Sequence, residues 1–232
     1  NTGAAAATIE TAMKRYPDDA EVQLFAAQIA SVTGLTIAGK TAEELAGIVL
    51  ASDPGNTEAL RCQIEGMIQN GNWQKAYSAS EKLLAKDRSR AAVFSHIKIC
   101  LELGKKEEAW NLVSPLYREN PGDEDVLQMY ILVLARTDRT GQAVSLIDTL
   151  LPNASARMKS FLFYRRSYLE GAEEASLSDL RSSLIANPRN SDALFRLYQI
   201  YYNRKDYRKA QYYLKQVVAL DPNNTSVRKL ND

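Results

Sequence analysis

Four prolines that each follow an Asp or Asn recur along this sequence at multiples of one length. Pro188 and Pro222 are separated by one such length, and the intervals from Pro54 to Pro121 and from Pro121 to Pro188 are equal and close to twice as long. Because Pro cannot continue a helix, a regularly spaced Pro ends one structural unit after another. A period of about 34 residues that closes on Pro is typical of helix–turn–helix repeats.

The apolar residues between these prolines follow the spacing of amphipathic helices. The last unit holds two such stripes, which are Leu194, Leu197 and Tyr201, and then Ala210, Leu214, Val217 and Val218. Small residues that let two helices approach closely begin the second stripe of four units, at Ala76, Ala109, Ala143 and Ala210. Glycines that favour a left-handed turn stand between stripes, at Gly71, Gly104 and Gly171. The pattern predicts pairs of antiparallel helices.

Several units carry these residues in the same register. Residues 191–224 place them at Leu194, Leu197, Tyr201, Ala210, Leu214, Val217 and Pro222. Residues 90–121 place them at Val93, Ile97, Gly104, Ala109, Val113, Leu116 and Pro121. In this respect the chain resembles the tetratricopeptide-repeat family. The resemblance implies an all-α fold, a right-handed α-solenoid of antiparallel helix–turn–helix repeats.

The resemblance extends over nearly the whole chain and implies a single solenoid over residues 1–232. Its expected parts are a half repeat 1–17, a degenerate repeat 20–54, repeats 57–88, 90–121, 124–152, 157–188 and 191–222, and a truncated cap helix 224–232. The incomplete units at both ends lead us to expect that the natural chain continues there or that another molecule covers them.

Two features depart from the family's pattern. In repeat 157–188, serines replace the expected apolar or small residues at Ser160, Ser176 and Ser183. Pro115 stands inside a second helix, where it is expected to kink or unwind that helix unless packing compensates.

The family binds extended peptides or partner helices on the concave surface of the solenoid, which the first helix of each repeat lines. The matching positions of this chain include Phe161, Arg165, Tyr168, Phe195, Gln199 and Tyr202 in the last two repeats, and Phe94, Lys98 and Leu101 in an earlier one. Rings beside a cation and an amide are suited to grip an apolar side chain and a carboxylate or backbone. The resemblance therefore predicts a non-catalytic scaffold that binds a protein or peptide partner. The alternative that these side chains pack against later helices or a cap stays open.

Some members of the family hold the acidic tails of chaperones with a clamp of Lys and Asn. The corresponding positions of this chain are Arg61, Glu65 and Ser95. Because a Glu in place of Asn repels a carboxylate, we expect no clamp of that kind.

Six tyrosines are concentrated near the end of the chain, at Tyr198, Tyr201, Tyr202, Tyr207, Tyr212 and Tyr213. Basic residues beside rings that stack on bases are typical of single-stranded nucleic-acid binding, and here they are Arg204, Lys205, Arg208 and Lys209. The net charge of the whole chain is only +1, however, and we find no regular series of polar readout residues. The resemblance assigns most of these tyrosines to helix packing and leaves Tyr202 facing the concave surface. Nucleic-acid binding is therefore not favoured.

The sequence shows little that catalysis or cofactor binding requires. His96 is the one histidine, and its core-facing position favours a buried structural residue. Cys62 and Cys100 fall on different predicted helices without a metal-binding spacing, which favours two core thiols and leaves a disulfide as the alternative. We find no phosphate-binding glycine loop and no nucleophile motif. We therefore expect no enzyme activity, no metal, no cofactor and no small-molecule substrate.

Charge is distributed unevenly along the chain. Residues 1–60 hold three basic and eight acidic side chains, whereas residues 156–215 hold twelve basic and six acidic ones. Unlike charges near the two ends favour head-to-tail association, so a self-assembling structural or envelope-assembly subunit is the alternative function. No apolar run approaches the roughly 20 residues that span a bilayer. Resemblance to bacterial tetratricopeptide proteins leaves the cytoplasm and the bacterial envelope or periplasm both open, and the oligomeric state as well.

Overall fold

The computed structural model describes residues 2–169 and 171–220, which form helices joined by short turns. The α-helices of this part of the chain are α1 (Thr2–Arg15), α2 (Ala20–Thr33), α3 (Ala42–Ser52), α4 (Thr57–Gln69), α5 (Trp73–Lys86), α6 (Arg90–Glu102), α7 (Lys106–Glu119), α8 (Glu124–Arg136), α9 (Thr140–Leu150), α10 (Ala156–Arg166), α11 (Glu173–Ala186), α12 (Ser191–Asn203) and α13 (Tyr207–Leu220). One turn of 3-10 helix, Leu151–Asn153, follows α9. Within the described residues, β pairing is limited to one bridge between Ile37 and Lys40. The predicted all-α class is confirmed.

From α2 onward the helices come in pairs, and each pair coincides with one expected repeat to within a residue or two. The first helix of every pair begins after a side chain that accepts a hydrogen bond from a first-turn N–H. These caps are Asp19, Asn56, Ser89, Asp123, Ser155 and Asn190. Asp, Asn and Ser are good caps, each contributing about 1 kcal/mol to helix stability. The repeat is therefore marked at its start by a cap as well as at its end by Pro.

Left-handed residues lie between the two helices of four pairs, and after α2 the first of them is Gly34, with φ of 67°. Gly71 and Gly104 both have φ of 71°, and Lys205 takes the equivalent position with φ of 61°. Gly has this freedom because it lacks a Cβ, whereas a lysine is strained there. Gly171 follows residue 170, which lies outside the described residues, so the same turn between α10 and α11 stays a prediction.

The chain divides into two compact units, Asn1–Asn120 and Pro121–Asp232. The first unit contains α1 to α7, and the insertion between α2 and α3 buries Ile37 completely. Gly66 of α4 lies against the start of α3, since a Cβ placed on it would stand 2.5 Å from the backbone nitrogen of Glu43. The two helices approach this closely only because position 66 has no side chain.

The second unit contains α8 to α13, and its core includes the serines that depart from the repeat pattern. The Oγ atoms of Ser160 and Ser183 are 3.0 Å apart, and Nδ2 of Asn190 donates to both, at 2.9 and 3.1 Å. Both serines are at most 1% exposed. The serines therefore replace apolar packing by a buried hydrogen-bond network that joins α10, α11 and the start of α12.

Pro115 does not interrupt α7, which runs continuously from Lys106 to Glu119. The expected unwinding is therefore wrong. Pro115 removes the N–H that would bond the carbonyl of Asn111, and both residues lie on the exposed side of the helix. Water can take that hydrogen bond, which lowers the cost of the proline.

The expected cap helix 224–232 and Pro222 lie outside the described residues. The joining of all repeats into one continuous solenoid stays a prediction. In the part of the chain that the structure describes, no helix combines the length and apolar character that crossing a lipid bilayer requires.

Candidate functional site

Six of the expected partner-binding residues lie in the second unit. Phe161 and Arg165 are on α10, Tyr168 is in the turn after it, and Phe195, Gln199 and Tyr202 are on α12. Tyr168 and Tyr202 are 48% and 53% exposed, and the other four are partly buried. The structure brings the three residues of α10 and its turn together with two that the sequence did not single out, Tyr164 and Arg196.

Aromatic rings and guanidinium groups alternate along this contact. Cζ of Arg165 lies 5.3 Å from the ring centroid of Phe161 and 5.4 Å from that of Tyr164. Tyr164 and Tyr168 meet edge to face with centroids 5.4 Å apart, and their hydroxyls are 3.3 Å apart. Arg196 of α12 places its Cζ 4.5 Å from the Tyr168 ring. We call these five residues the aromatic–arginine cluster.

Among the residues that the structure describes, rings and not carboxylates contact the two arginines of the cluster. Within the described residues neither Arg165 nor Arg196 makes an ion pair, and the Nε atom of each is buried without a hydrogen bond. The neighbouring Arg166 differs, because it pairs with Asp148 and with Asp179. Cation–π contacts contribute about 0.5–1 kcal/mol each and leave the positive charge in place. The cluster therefore keeps two cations whose charge a partner's carboxylate can balance.

The buried phenol of Tyr164 stays neutral. Burial raises the pKa of Tyr164 well above its ordinary value, and the neighbouring Tyr168 raises it further. Tyr164 therefore keeps a hydroxyl proton at physiological pH. Hydroxyl groups, ring faces and two cations together suit a peptide that carries an aromatic or apolar side chain beside a carboxylate.

A second series of rings continues from α12 into α13. Neighbouring centroids lie between 5.4 and 5.7 Å apart along Phe195, Tyr198, Tyr202 and Tyr207. Tyr201, predicted to face a neighbouring helix, is 5% exposed and stacks on Tyr213. That packing interpretation is confirmed for Tyr201, while Tyr202 and Tyr207 remain more than half exposed.

Two of the basic residues near these tyrosines already have acidic partners. Arg204 pairs with Glu173 at 2.5 Å and Glu174 at 2.7 Å, and Lys209 pairs with Asp206 at 2.8 Å. Charges balanced in this way do not form an open track for a phosphate backbone. This arrangement disfavours the nucleic-acid alternative.

Comparison with known proteins bears on the fold. No protein-family model and no curated protein sequence matches the chain. The structure of a tetratricopeptide repeat protein from Parabacteroides merdae matches 80% of this chain and 72% of that chain, with a TM-score of 0.64 and 17% identity. The protein has the tetratricopeptide-repeat fold. The APC/C hetero-tetramer Cut9–Hcn1 also matches, over 97% of this chain but only 45% of that chain, with a TM-score of 0.58 and 14% identity.

The remaining three expected binding residues lie on α6, the first helix of a tetratricopeptide repeat in the first unit. Lys98 is exposed, Phe94 is partly buried, and Leu101 is only 8% exposed. Leu101 stands at the end of α6 next to the buried Cys100, where α7 folds back against the helix. Little of its side chain is therefore available to a partner, contrary to the expectation from its repeat position.

A cavity of about 570 Å³ lies in the first unit and includes all three clamp positions, Arg61, Glu65 and Ser95. The Arg61 guanidinium pairs with Glu58 and with Asp87, so its charge is already balanced. Burial raises the pKa of Glu65, and the charge of Lys98 acts in the opposite direction. Unlike the aromatic–arginine cluster, this groove does not leave Arg61 free for an acidic tail.

A buried polar cluster of His96, Cys100 and Glu108 joins α6 and α7. His96 is 2% exposed, so its predicted burial is confirmed, and both thiols of the chain are buried and free. Nε2 of His96 is 3.0 Å from Oε1 of Glu108, and its Nδ1 is 2.7 Å from Oγ of Ser80. One ligand atom from each of the three residues lies within 4.8 Å of the others. Nitrogen, sulfur and carboxylate oxygen are a donor set that divalent metals accept.

The cluster perturbs the acidity of its members. Burial raises the pKa of Cys100 to about 12, and the nearby Glu108 adds to the effect. Burial also raises the pKa of Glu108, but hydrogen bonds from His96 and Tyr77 and the charges of His96 and Lys105 outweigh it, so the net change is downward. The cluster therefore holds a neutral thiol beside a carboxylate near neutral pH.

This cluster was not predicted from the sequence, although two of its three residues lie close together along the chain. His96 and Cys100 are four residues apart on one helix, a spacing that places two side chains on the same face. Glu108 belongs to the next helix, and the contact depends on how α7 packs on α6. The spacing of residues along the chain does not predict that packing.

Proposed function

We propose that the protein is a non-catalytic scaffold that binds a segment of a partner protein at the aromatic–arginine cluster, on the face that the first helices of its repeats present. The observation that carries this proposal is the contrast between Arg166, which has two acidic partners, and Arg165 and Arg196, which rest on rings without an ion pair in the described residues. A positively charged side chain that folding leaves unpaired beside exposed rings is available for a partner.

The chemistry of the cluster indicates the kind of segment it fits. Tyr168, about half exposed, offers a ring face and a hydroxyl, and the guanidinium of Arg196 stands over that ring. Buried rings and arginines dominate the binding energy of many protein interfaces. A segment with an Asp or Glu next to an aromatic or Leu side chain would fill both kinds of contact.

The fold relatives support this class of function in general terms. Cut9 was crystallised with Hcn1 as a hetero-tetramer, so one protein with a similar fold takes part in a protein assembly. At 14% identity this likeness supports scaffolding and says nothing of the partner. Self-assembly through the ends of the chain remains the alternative prediction.

Selection from a displayed peptide library tests the proposal. The baits are the wild-type chain, the variant Arg165→Glu with Arg196→Glu, and a control with Arg208→Glu and Lys215→Glu on the exposed face of α13. Both variants change the net charge equally, and circular dichroism checks that each is folded. We expect the wild type and the control to enrich peptides with an acidic residue beside an aromatic or Leu.

The affinities of the enriched peptides then distinguish binding at the aromatic–arginine cluster from attraction by the net charge of the protein. We expect the cluster variant to bind at least tenfold more weakly, equivalent to about 1.4 kcal/mol, and the control to bind within about threefold of the wild type. Equal enrichment by all three baits would refute binding at the cluster. If only the cluster variant loses the peptides, a pull-down that compares the wild type with a variant carrying Arg165→Glu and Tyr168→Ala would identify the natural partner.

A further inference from the structure

The hydrogen bonds around His96 are compatible with a proton on Nδ1. Ser80 has one hydroxyl hydrogen and donates it to the carbonyl oxygen of Tyr77 at 2.7 Å. Its Oγ therefore accepts a hydrogen bond from Nδ1–H of His96, 2.7 Å away. Nε2 is left to face Oε1 of Glu108 at 3.0 Å. With Nδ1–H bound to Ser80, a neutral imidazole offers the Nε2 lone pair to a metal ion on the side of Glu108.

Cys100 adds a third ligand atom to this pair. It follows His96 by about one turn of α6, so both side chains lie on the same face of the helix. Metal–ligand distances of about 2.0–2.3 Å place the ligand atoms of a tetrahedral site roughly 3.3–3.8 Å apart. The ligand atoms here already lie within 4.8 Å of one another, so side-chain movements of about 1 Å bring them to that geometry.

We propose that His96, Cys100 and Glu108 bind a divalent transition-metal ion of the Zn²⁺ type, through Nε2, Sγ and a carboxylate oxygen. Three protein ligands leave a fourth position of a tetrahedral ion for water. A thiolate and an imidazole select ions of this class over Mg²⁺ and Ca²⁺, which prefer oxygen ligands only.

The surrounding residues already orient the three ligands. Ser80 holds the Nδ1–H of His96, as an acceptor in the outer shell does for most metal-ligating histidines. Tyr77 directs its hydroxyl at Glu108, 3.0 Å from Oε1 and 3.1 Å from Oε2. Both contacts are compatible with a bound ion, because they leave Nε2 and at least one lone pair of the carboxylate free.

Ion binding would release the proton of the Cys100 thiol, because the thiolate is the form that binds a metal. Lys105 lies beside the cluster, with its Nζ 3.6 Å from Oε2 of Glu108. The Glu108 side chain is 35% exposed and provides the route by which an ion reaches the buried ligands.

Titration of the reduced, untagged full chain with Co²⁺ tests this site. Co²⁺ substitutes for Zn²⁺, and a thiolate ligand gives it a charge-transfer absorption that histidine and carboxylate alone do not produce. The variants are Cys100→Ser and Cys100→Ala, with Cys62→Ser as the matched control, since Cys62 is the other buried thiol of the same unit. Ser80→Ala tests the outer contact, and circular dichroism checks the fold of every variant.

We expect the wild type and Cys62→Ser to bind about one equivalent of Co²⁺ with the charge-transfer band and to exchange the ion for Zn²⁺. Both Cys100 variants should lose the band, and Ser80→Ala should bind about 10–100-fold more weakly. Absence of the band at stoichiometric Co²⁺, or its loss in Cys62→Ser but not in the Cys100 variants, would overturn the proposal.

Discussion

Arg166 donates two parallel hydrogen bonds to Asp179, from Nε to Oδ2 at 2.9 Å and from Nη2 to Oδ1 at 2.7 Å, and this carboxylate is only 5% exposed. Removing the arginine would leave a buried carboxylate without its cation. We expect Arg166→Ala to lower the free energy of unfolding by about 3 kcal/mol. Urea unfolding followed by circular dichroism measures this loss.

The matched control for this prediction is Asp148→Ala. Asp148 contacts the same arginine, but its side chain is 52% exposed. Exposed ion pairs contribute about 0–1 kcal/mol, so its removal should have a small effect. Comparable losses in the two variants would show that burial of Asp179 does not determine the cost.

The close approach of α4 to α3 at Gly66 gives a second prediction. An added Cβ would collide with the backbone of Glu43, which cannot move as a flexible side chain does. We expect Gly66→Ala to destabilise the protein by about 1–3 kcal/mol. Gly47→Ala is the control, because Gly47 is also helical and a Cβ there meets nothing within 4 Å. That change should raise stability by about 0.5–1 kcal/mol in the same urea experiment, and changes of the same sign at both sites would contradict the packing argument.

The side chain of Asn190 both caps a helix and donates hydrogen bonds to buried hydroxyl groups. Its Oδ1 caps α12 by accepting from the N–H of Ala193, and its Nδ2 donates to the buried hydroxyls of Ser160 and Ser183. We expect Asn190→Ala to cost about 2 kcal/mol, since it removes a cap and also leaves buried hydroxyls with fewer partners.

Asn56 provides the comparison, because it caps α4 through Ala59 but donates only to an exposed aspartate. Asn56→Ala should cost about 1 kcal/mol. Thermal unfolding of the two variants separates the contributions. Equal losses would mean that the serine network adds nothing to the cap.

The Arg61–Asp87 pair makes stability depend on acid pH. The pKa of Asp87 is lowered, chiefly by the hydrogen bond from Arg61 and then by the backbone N–H of Ser89. A carboxylate with a lower pKa in the folded state stabilises the fold above its unfolded pKa, near 4, and this contribution is lost as the pH falls through the folded value. We expect Arg61→Gln to lower the urea midpoint at pH 6 and to flatten its decline below about pH 4.

Urea titrations at several values between pH 6 and pH 2 measure this slope. Lys82→Gln is the control, because Lys82 is exposed on α5 and changes the charge by the same amount. Its curve should run parallel to that of the wild type. An unchanged acid slope in Arg61→Gln would show that the pair does not link folding to proton binding.

Local signals in the sequence were sufficient for the helix pairs. The spacing of the apolar residues and the left-handed glycines Gly71 and Gly104 each act over a few residues, and the prolines repeat these local signals at a regular interval.

Contacts between helices were not predictable in the same way. Arg196 meets Tyr168 from a different helix, and Glu108 meets His96 across a turn, so both contacts depend on the packing of one helix on the next. The repeat position of Leu101 gave the correct helix but not the burial of its side chain, since a small rotation at the end of a helix moves a residue from the surface into the core. The aromatic–arginine cluster was therefore only partly foreseen, through Phe161, Arg165 and Tyr168.

The division into two units has a spectroscopic consequence. Both tryptophans of the chain, Trp73 and Trp110, lie in the first unit, whereas nine of its twelve tyrosines lie in the second. Fluorescence excited selectively in indole therefore follows the first unit alone, while far-ultraviolet circular dichroism follows the helices of both. If the dichroism signal is lost before the fluorescence changes, the second unit melts first, and if the two curves coincide, both units melt as one cooperative block. Partial unfolding of this protein can thus be followed without attaching a label.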